Sequence, residues 1–323
     1  MDHYLDTTIN VYRDAALKPN VGLCCTTSPM NALPGLQVPA IMQEMNYGCG
    51  SIVNVGDLVN NPKILYVGIG GGMELLQFSY FNRNAGGVIG VDVVDEMLTI
   101  CAANLSEAEA LNPWFKKEFI ELRKGSALAL PIEDNSIDVA GQNCLFNIFK
   151  ENDLKTALQE IYRVLKPGGR LVMSDPICNQ EINKELRNDE RLRALCLTGS
   201  LPLQSYIKAI TDIGFGTIEV RAKRPYRILA PGKYATNELI YIESVEVCAI
   251  KDAMPADGPC VFTGKAAIYY GEEEYFDDHK GHILLPNQPL AVCDKTAVNL
   301  AALNRTDIFI SASTWFYDGG GCC

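Results

Sequence analysis

A short apolar run that ends in a glycine cluster constrains this chain more than any other feature: Ile64-Leu65-Tyr66-Val67, then Gly68-Ile69-Gly70-Gly71-Gly72. Four successive apolar residues read as a strand buried on both faces, as in a parallel sheet covered by helices. Glycine follows where the chain turns sharply and a ligand must approach the backbone, because a Cβ obstructs both. Gly68, Gly70 and Gly72 give G-x-G-x-G between strand and helix. A nicotinamide fingerprint needs its third glycine where Met73 stands, and no Gly-Lys-Ser/Thr follows for a P-loop. Taken singly, the loop is also compatible with a plain tight turn.

Downstream, strand-like and helix-like segments alternate. Residues 87–92 read as a second strand, 95–106 as a helix, 119–122 as a weak third strand and 136–140 as a fourth. Leu154, Leu158, Ile161 and Leu165 recur at helical spacing up to the turn Lys166-Pro167-Gly168-Gly169, and 170–174 read as a fifth strand. This order predicts an α/β fold with a doubly wound, mostly parallel sheet. Residues 184–213 read as largely helical and 217–222 as a further strand. From about Tyr226 the pattern changes to short strand-like runs between loops. Three parts are therefore expected: an N-terminal helical and loop segment at 1–60, a sheet domain at 61–225, and a smaller α+β domain at 226–323 whose Gly-Gly-Gly-Cys-Cys end reads as a flexible tail.

A formal net charge of −11 disfavours binding to phosphate backbones, so no nucleic-acid partner is expected. No apolar stretch is long enough to span a bilayer, and the first residues carry no signal-peptide pattern, so the expected location is cytoplasmic, without membrane contact. In a reducing compartment the 12 cysteines read as thiols rather than as a disulfide scaffold. No CxxC pair supports a zinc ribbon, and 3 histidines supply a histidine-base mechanism poorly.

Asp92 ends the second strand, twenty residues after Gly72, where a carboxylate can accept both hydroxyls of a ribose. Its alternative role is the N-cap of a helix that starts near Val94. In order and spacing, the run 65–72, Gly90-Val91-Asp92, the segment 130–138 and Val164-Leu165-Lys166-Pro167-Gly168-Gly169 resemble the class I S-adenosylmethionine-dependent methyltransferases. The resemblance implies S-adenosylmethionine as cofactor, held around Gly68, Gly70, Gly72 and Asp92, with Ser126 and Ala127 near the adenine. Two departures stand out. The family usually has an acid where Tyr66 stands, and often Asp where Ser126 stands.

Four cysteine neighbourhoods, Leu23-Cys24-Cys25-Thr26, Tyr47-Gly48-Cys49-Gly50, Asn143-Cys144-Leu145 and Leu195-Cys196-Leu197-Thr198, look in this order like those of the arsenite methyltransferases, as do 262–271 and 290–297 further on. This resemblance implies Cys49, Cys144 and Cys196 as ligands of trivalent arsenic, with Cys24 or Cys25 as upstream redox partner, Cys24 being preferred. It also implies Tyr47 beside the cofactor's sulfonium. The doublets Cys24-Cys25 and Cys322-Cys323 look like the branch associated with arsenosugar synthesis. The implied partners are arsenite or its glutathione conjugates, and a thiol reductant such as glutathione or thioredoxin.

The chemistry suits thiols. Trivalent arsenic is a soft centre, and soft ligands hold it. Methyl transfer needs orientation rather than a strong base. Transfer formally oxidises arsenic, and two cysteines closing to a disulfide return it to the trivalent state. Other readings are methylation of a different small molecule with incidental cysteines, and a non-catalytic thiol protein that holds metalloids. The first predicts that turnover survives loss of Cys144 or Cys196; the second leaves the glycine loop and Asp92 unexplained. Cys101, Cys178, Cys248, Cys260 and Cys293 are expected to be structural, since cysteine is among the most buried residue types.

Overall fold

A computed structural model describes residues 3–20, 23 and 33–315. Its sheet is built from β1 (Ile64–Val67), β2 (Val88–Asp92), β3 (Ile120–Lys124), β4 (Ile137–Asn143), β5 (Leu165–Cys178), β6 (Leu201–Pro202), β7 (Thr217–Leu229), β8 (Ile240–Ile250) and β9 (Cys260–Phe262). In space the order is β3-β2-β1-β4-β5-β8-β7-β9, with β6 beside the end of β5. β1 to β5 are mutually parallel, and β8 runs antiparallel between β5 and β7. The chain thus starts mid-sheet, winds to one edge, and returns past β1 to β4. That reversal leaves a crevice at the carboxyl ends of β1 and β4, the place where doubly wound sheets bind ligands.

The helices are α1 (His3–Leu17), α2 (Ala40–Glu44), α3 (Met73–Phe81), α4 (Asp95–Leu111), α5 (Glu151–Val164), α6 (Lys184–Arg187), α7 (Glu190–Ala194), α8 (Leu203–Thr211) and α9 (Asp294–Ala301). Alternate strand residues feed two layers, as the period of two demands. Ile64, Tyr66, Val88 and Val139 pack with Leu76, Phe78, Cys101 and Leu105 of α3 and α4. Leu65, Val67, Ile89 and Ala140 pack with Leu158, Ile161, Tyr206 and Ile210 of α5 and α8. α5 shows why such helices form: Leu154, Ala157, Leu158, Ile161 and Val164 make one buried stripe. Each large apolar side chain there contributes on the order of 1.5–3 kcal/mol by burial. Arg163 on the same helix bonds Glu160, Asp134 and the carbonyls of Leu130 and Ile132, which fixes the loop after β3.

Several expected boundaries move. β5 starts at Leu165, directly out of α5, and runs through the expected turn at 166–169. The stretch 184–213 divides into α6, α7 and α8 with β6 between them. The domain edge expected at 225/226 falls inside β7, which continues to Leu229 and pairs with β8. Beyond β9 lies a smaller α+β unit. β10 (Lys265–Tyr269) pairs with β13 (Leu290–Val292) and β14 (Ile308–Ile310), while β11 (Phe276–Asp277) pairs with β12 (Ile283–Leu284). Ala267, Tyr269, Leu284, Val292, Ala297 and Leu300 give this unit its own core with α9. We propose that the smaller domain begins after β9 rather than at 226. Among the described residues, no helix is long and apolar enough to cross a membrane.

Candidate active site

A cavity of about 380 Å³, a volume suited to a cofactor-sized molecule, opens at the carboxyl ends of β1, β2 and β4. Its walls include Gly68, Gly70, Asp92, Ser126, Ala127 and Cys144, and Ile9 and Tyr12 of α1 close one side. Gly68, Gly70 and Gly72 have φ of 78°, 51° and 91°, a region in which other residues are strained. Gly72 stands behind the cavity wall rather than on it. A Cβ there would meet the Cys101 sulfur at 2.8 Å, so the loop sits directly on α4.

Asp92 is anchored from both sides. Oδ2 accepts the Ile69 N–H at 3.0 Å and Oδ1 accepts the Val94 N–H at 2.9 Å. Each carboxylate oxygen keeps acceptor capacity beyond its one main-chain bond. Burial pushes the Asp92 carboxyl up to about 6, so it is mostly ionised at neutral pH. It is not the helix N-cap: α4 begins at Asp95 behind Val94. Ser126 Oγ accepts the Leu128 N–H at 3.1 Å, turning the loop so that Ser126 and Ala127 both border the cavity. A glycine cradle free of Cβ atoms and an anchored carboxylate on the wall fit the adenosine part of S-adenosylmethionine.

An acid, Glu74 of α3, stands near Tyr66. Tyr66 and Glu74 are both buried on the cavity wall, with the Glu74 carboxyl close enough to act on the Tyr66 hydroxyl. Burial, with Glu74 beside it, pushes the Tyr66 hydroxyl well up, so it stays protonated; burial also raises the Glu74 carboxyl. Glu74 Oε1 accepts from Asn143 Nδ2 at 3.0 Å. Asn143 also donates to Gly50 O at 2.9 Å and accepts the Cys49 N–H at 2.9 Å, so one amide joins α3, the end of β4 and the Gly-Cys-Gly loop. That loop packs too closely for other residues. A Cβ on Gly48 would lie 2.2 Å from Asn143 Nδ2, and one on Gly50 would lie 2.2 Å from Ser174 Oγ. Neither Glu74 nor this role of Asn143 emerges from sequence reasoning. The available signal is that Glu74 is the one charged residue in Met73–Phe81.

The cysteines gather at the end of β4. Cys144 follows that strand with φ 63°, and Cys196 follows α7 with φ 57°. A left-handed conformation costs such a residue roughly 1–2 kcal/mol, and strain of this kind concentrates at functional sites. Here the surroundings impose it. The Cys144 N–H bonds Ser174 O at 2.7 Å, and the Leu145 N–H bonds Gln142 Oε1 at 2.8 Å. Gln142 Nε2 in turn donates to the buried Asp175, whose carboxyl burial pushes up to about 7 and which also accepts the Tyr206 hydroxyl at 2.5 Å. The Cys196 sulfur lies 2.6 Å from Cys144 O, and the Cys49 sulfur lies 3.3 Å from Ser174 Oγ. Cys144 lines the cavity, whereas Cys49 and Cys196 stand behind it. Among the described residues, no three Cys, His, Asp or Glu side chains converge as a metal-binding group, and the Cys49 and Cys196 sulfurs each face an oxygen neighbour. Tyr47 lines the cavity next to Gly48 and packs edge-on against Tyr12, with centroids 6.3 Å apart. Cys24, Cys25, Cys322 and Cys323 lie outside the described residues.

Residues 65–173 match the methyltransferase domain family. The arsenite methyltransferase of Aquipseudomonas alcaligenes is 28% identical over 286 residues, which are 84% of this chain and 80% of that protein. The arsenite methyltransferase of Halobacterium salinarum is 26% identical over 56% of this chain, and the chain spans 44% of its length. An arsenic(III) S-adenosylmethionine methyltransferase from Chlamydomonas reinhardtii has a similar fold, with a TM-score of 0.58 at 21% identity over 87% of this chain and 95% of that one. With the sheet order, the glycine cradle and the matched methyltransferase domain in agreement, the chain is an S-adenosylmethionine-dependent methyltransferase that is similar, along most of its length, to arsenite methyltransferases.

Proposed function

We propose that the chain transfers methyl groups from S-adenosylmethionine to trivalent arsenic held by Cys144, Cys49 and Cys196, with arsenite or its glutathione conjugates as substrate. The observation that carries this reading is Cys144, held in a left-handed turn on the wall of the cofactor cavity with Cys49 and Cys196 packed around its flanking main chain.

S-adenosylmethionine, when bound, supplies an electrophilic methyl on a sulfonium. Asp92 accepts the ribose hydroxyls, Gly68 and Gly70 admit the cofactor to the backbone, and Tyr47 offers a ring face to the cation. Glu74 and Asn143 orient the Gly-Cys-Gly loop. Cys144 takes arsenic first because it borders the cavity; Cys49 and Cys196 complete a three-sulfur shell by side-chain rotation off Ser174 Oγ and Cys144 O. Thiolate ligation leaves arsenic its lone pair, and the shell aims that pair at the methyl carbon, which is where orientation accelerates transfer. No general base is needed. Return of arsenic to the trivalent state takes two electrons from two thiols, which close to a disulfide with Cys24 as one partner; glutathione or thioredoxin then reopens it. These donors place the reaction in a reducing, cytoplasmic setting.

X-ray absorption of arsenic in the 1:1 complex tests the ligand set. Three sulfur neighbours are expected, falling to two in Cys144→Ser. An arsenic centre that stays oxygen-coordinated removes the proposal.

A further inference from the structure

Three buried side chains behind the active-site cavity close a ring of hydrogen bonds. Ser174 on β5 pairs with Glu246 on β8, and Ser244 pairs with Pro176, so the two serines share one face of the sheet. Their hydroxyl oxygens lie 3.3 Å apart. Ser174 Oγ also lies 3.3 Å from the Cys49 sulfur, and Ser244 Oγ donates to Cys49 O at 2.6 Å. None of the three residues is more than 5% exposed. Counting protons fixes the direction of each bond, because a hydroxyl carries one. Ser244 gives its proton to the Cys49 carbonyl, so between the serines Ser174 donates. Ser174 then has none left for the sulfur, and Cys49 is the donor to Ser174 Oγ. The main chain of Cys49 is held at both ends, its N–H by Asn143 Oδ1 at 2.9 Å and its carbonyl by Ser244. Movement of the sulfur is thereby confined to side-chain rotation.

We propose that Ser174 and Ser244 are positioning residues that form a latch, holding the Cys49 thiol turned away from the cofactor cavity until arsenic draws it out. The proposal rests on the assignment of Cys49 as an arsenic ligand. Cys49 does not line the cavity, whereas Tyr47, Gly48 and Cys144 do. A thiol that donates a hydrogen bond gives that bond up when it becomes a ligand, because ligation takes the sulfur as thiolate. An As–S bond then replaces the bond to a displaced group. The Cys49 proton leaves with that group, as water from arsenite or as free thiol from a glutathione conjugate, and arsenic stays trivalent. Ser174 and Ser244 keep their own two bonds, so the loop main chain stays in place while the sulfur swings. A donating thiol also carries its proton, and disulfide exchange starts from a thiolate. The latch thus keeps Cys49 out of such exchange ahead of the substrate. It opposes arsenic binding by the strength of one hydrogen bond, which is opposite in sign to the effect of a hydroxyl that merely supports the loop.

Infrared spectra of the full chain read the donor directly, since an S–H stretch moves to higher frequency when the thiol stops donating. The Cys49 band is the one missing from Cys49→Ser. It is expected to move up in Ser174→Ala, where the acceptor is gone, and in Ser244→Ala, where Ser174 is free to turn its own proton onto the sulfur. A band that stays in place in both variants overturns the proposal. Calorimetric titration with arsenite then reads the latch. Ser174→Ala is expected to bind arsenite about 2–10-fold more tightly, the effect of one hydrogen bond that no longer has to break. The gain is expected to vanish when Cys49→Ser is added. A weaker or unchanged affinity in Ser174→Ala overturns the proposal, as does a gain that persists without Cys49. S-adenosylmethionine binding checks the fold of each variant, and Ser244→Ala carries the infrared test if Ser174→Ala does not fold. An arsenite affinity unchanged by Cys49→Ser alone removes the three-sulfur reading, and the latch with it, even where the band has moved; failure of the latch by itself leaves the band in place.

Discussion

At the scale of single residues, the site rests on a few polar atoms held in place by burial. In the proposed role Asp92 accepts two ribose hydroxyls and must be ionised for it, and burial raises its carboxyl to about 6. S-adenosylmethionine affinity should therefore be full well above that pH and fall as pH drops through it. Asp92→Asn should bind about 10–100-fold more weakly, the effect of losing hydrogen bonds to a charged group, and should lose the pH dependence. Calorimetric titration across pH checks both; equal pH profiles in the two proteins contradict the assignment. Gly48→Ala tests the loop, since its Cβ would lie 2.2 Å from Asn143 Nδ2. We expect a loss of about 1–3 kcal/mol in chemical unfolding, the usual cost of overpacking, and a fall in methyl transfer greater than the fall in cofactor affinity. Gly68 to Gly72 and Asp92 were legible in the sequence because their backbone demands are local. Glu74 was not, because its partners Tyr66 and Asn143 reach it only through the fold. The rotation of Cys49 and Cys196 onto oxygen neighbours was hidden for the same reason.

At the scale of elements, two pieces shape the site from outside the parallel core. α1 lies over the cavity through Leu5, Thr8, Ile9 and Tyr12. It is pinned by the bond from Tyr4 to Asp153, from Thr7 to Glu190 at 2.8 Å, and from Tyr12 to Ala194 O at 3.3 Å. Cofactor binding should slow hydrogen exchange across α1, because a ligand that fills the cavity penalises opening of its cover. Exchange in α1 that is unaffected by saturating S-adenosylmethionine contradicts its role as a wall. The second piece is β8, which sequence reasoning passed over. It carries Glu243 and Glu246 amid apolar residues, and their charges are met across the ladder by Lys223 at 2.8 Å and by Arg224. Such pairing across strands is invisible along a single chain. β8 also reaches the site: Ser244 Oγ donates to Cys49 O at 2.6 Å, and Glu246 accepts the Ser51 N–H at 2.8 Å.

At the scale of the whole molecule, the sheet and the smaller unit have separate cores. A chain ended at residue 263 should keep its affinity for S-adenosylmethionine, since the cavity draws no residue from beyond Phe149. Loss of binding in that shortened chain, with its far-UV spectrum intact, contradicts the division after β9. The alternation of strands and helices up to β5 made the overall architecture readable in advance. The placement of β7, β8 and β9 was not readable, because antiparallel pairing at the end of a parallel sheet depends on tertiary contacts and not on period. The central claim is that this fold brings the methyl donor and thiol-bound arsenic together at Cys144. Its most direct test is a single turnover with methyl-labelled S-adenosylmethionine, arsenite and glutathione, comparing the unaltered chain with Cys144→Ser. Label on arsenic in the unaltered chain, and none in a variant that still binds the cofactor, is the result expected here. Cofactor binding without label on arsenic in either protein contradicts the claim and moves the search to another acceptor.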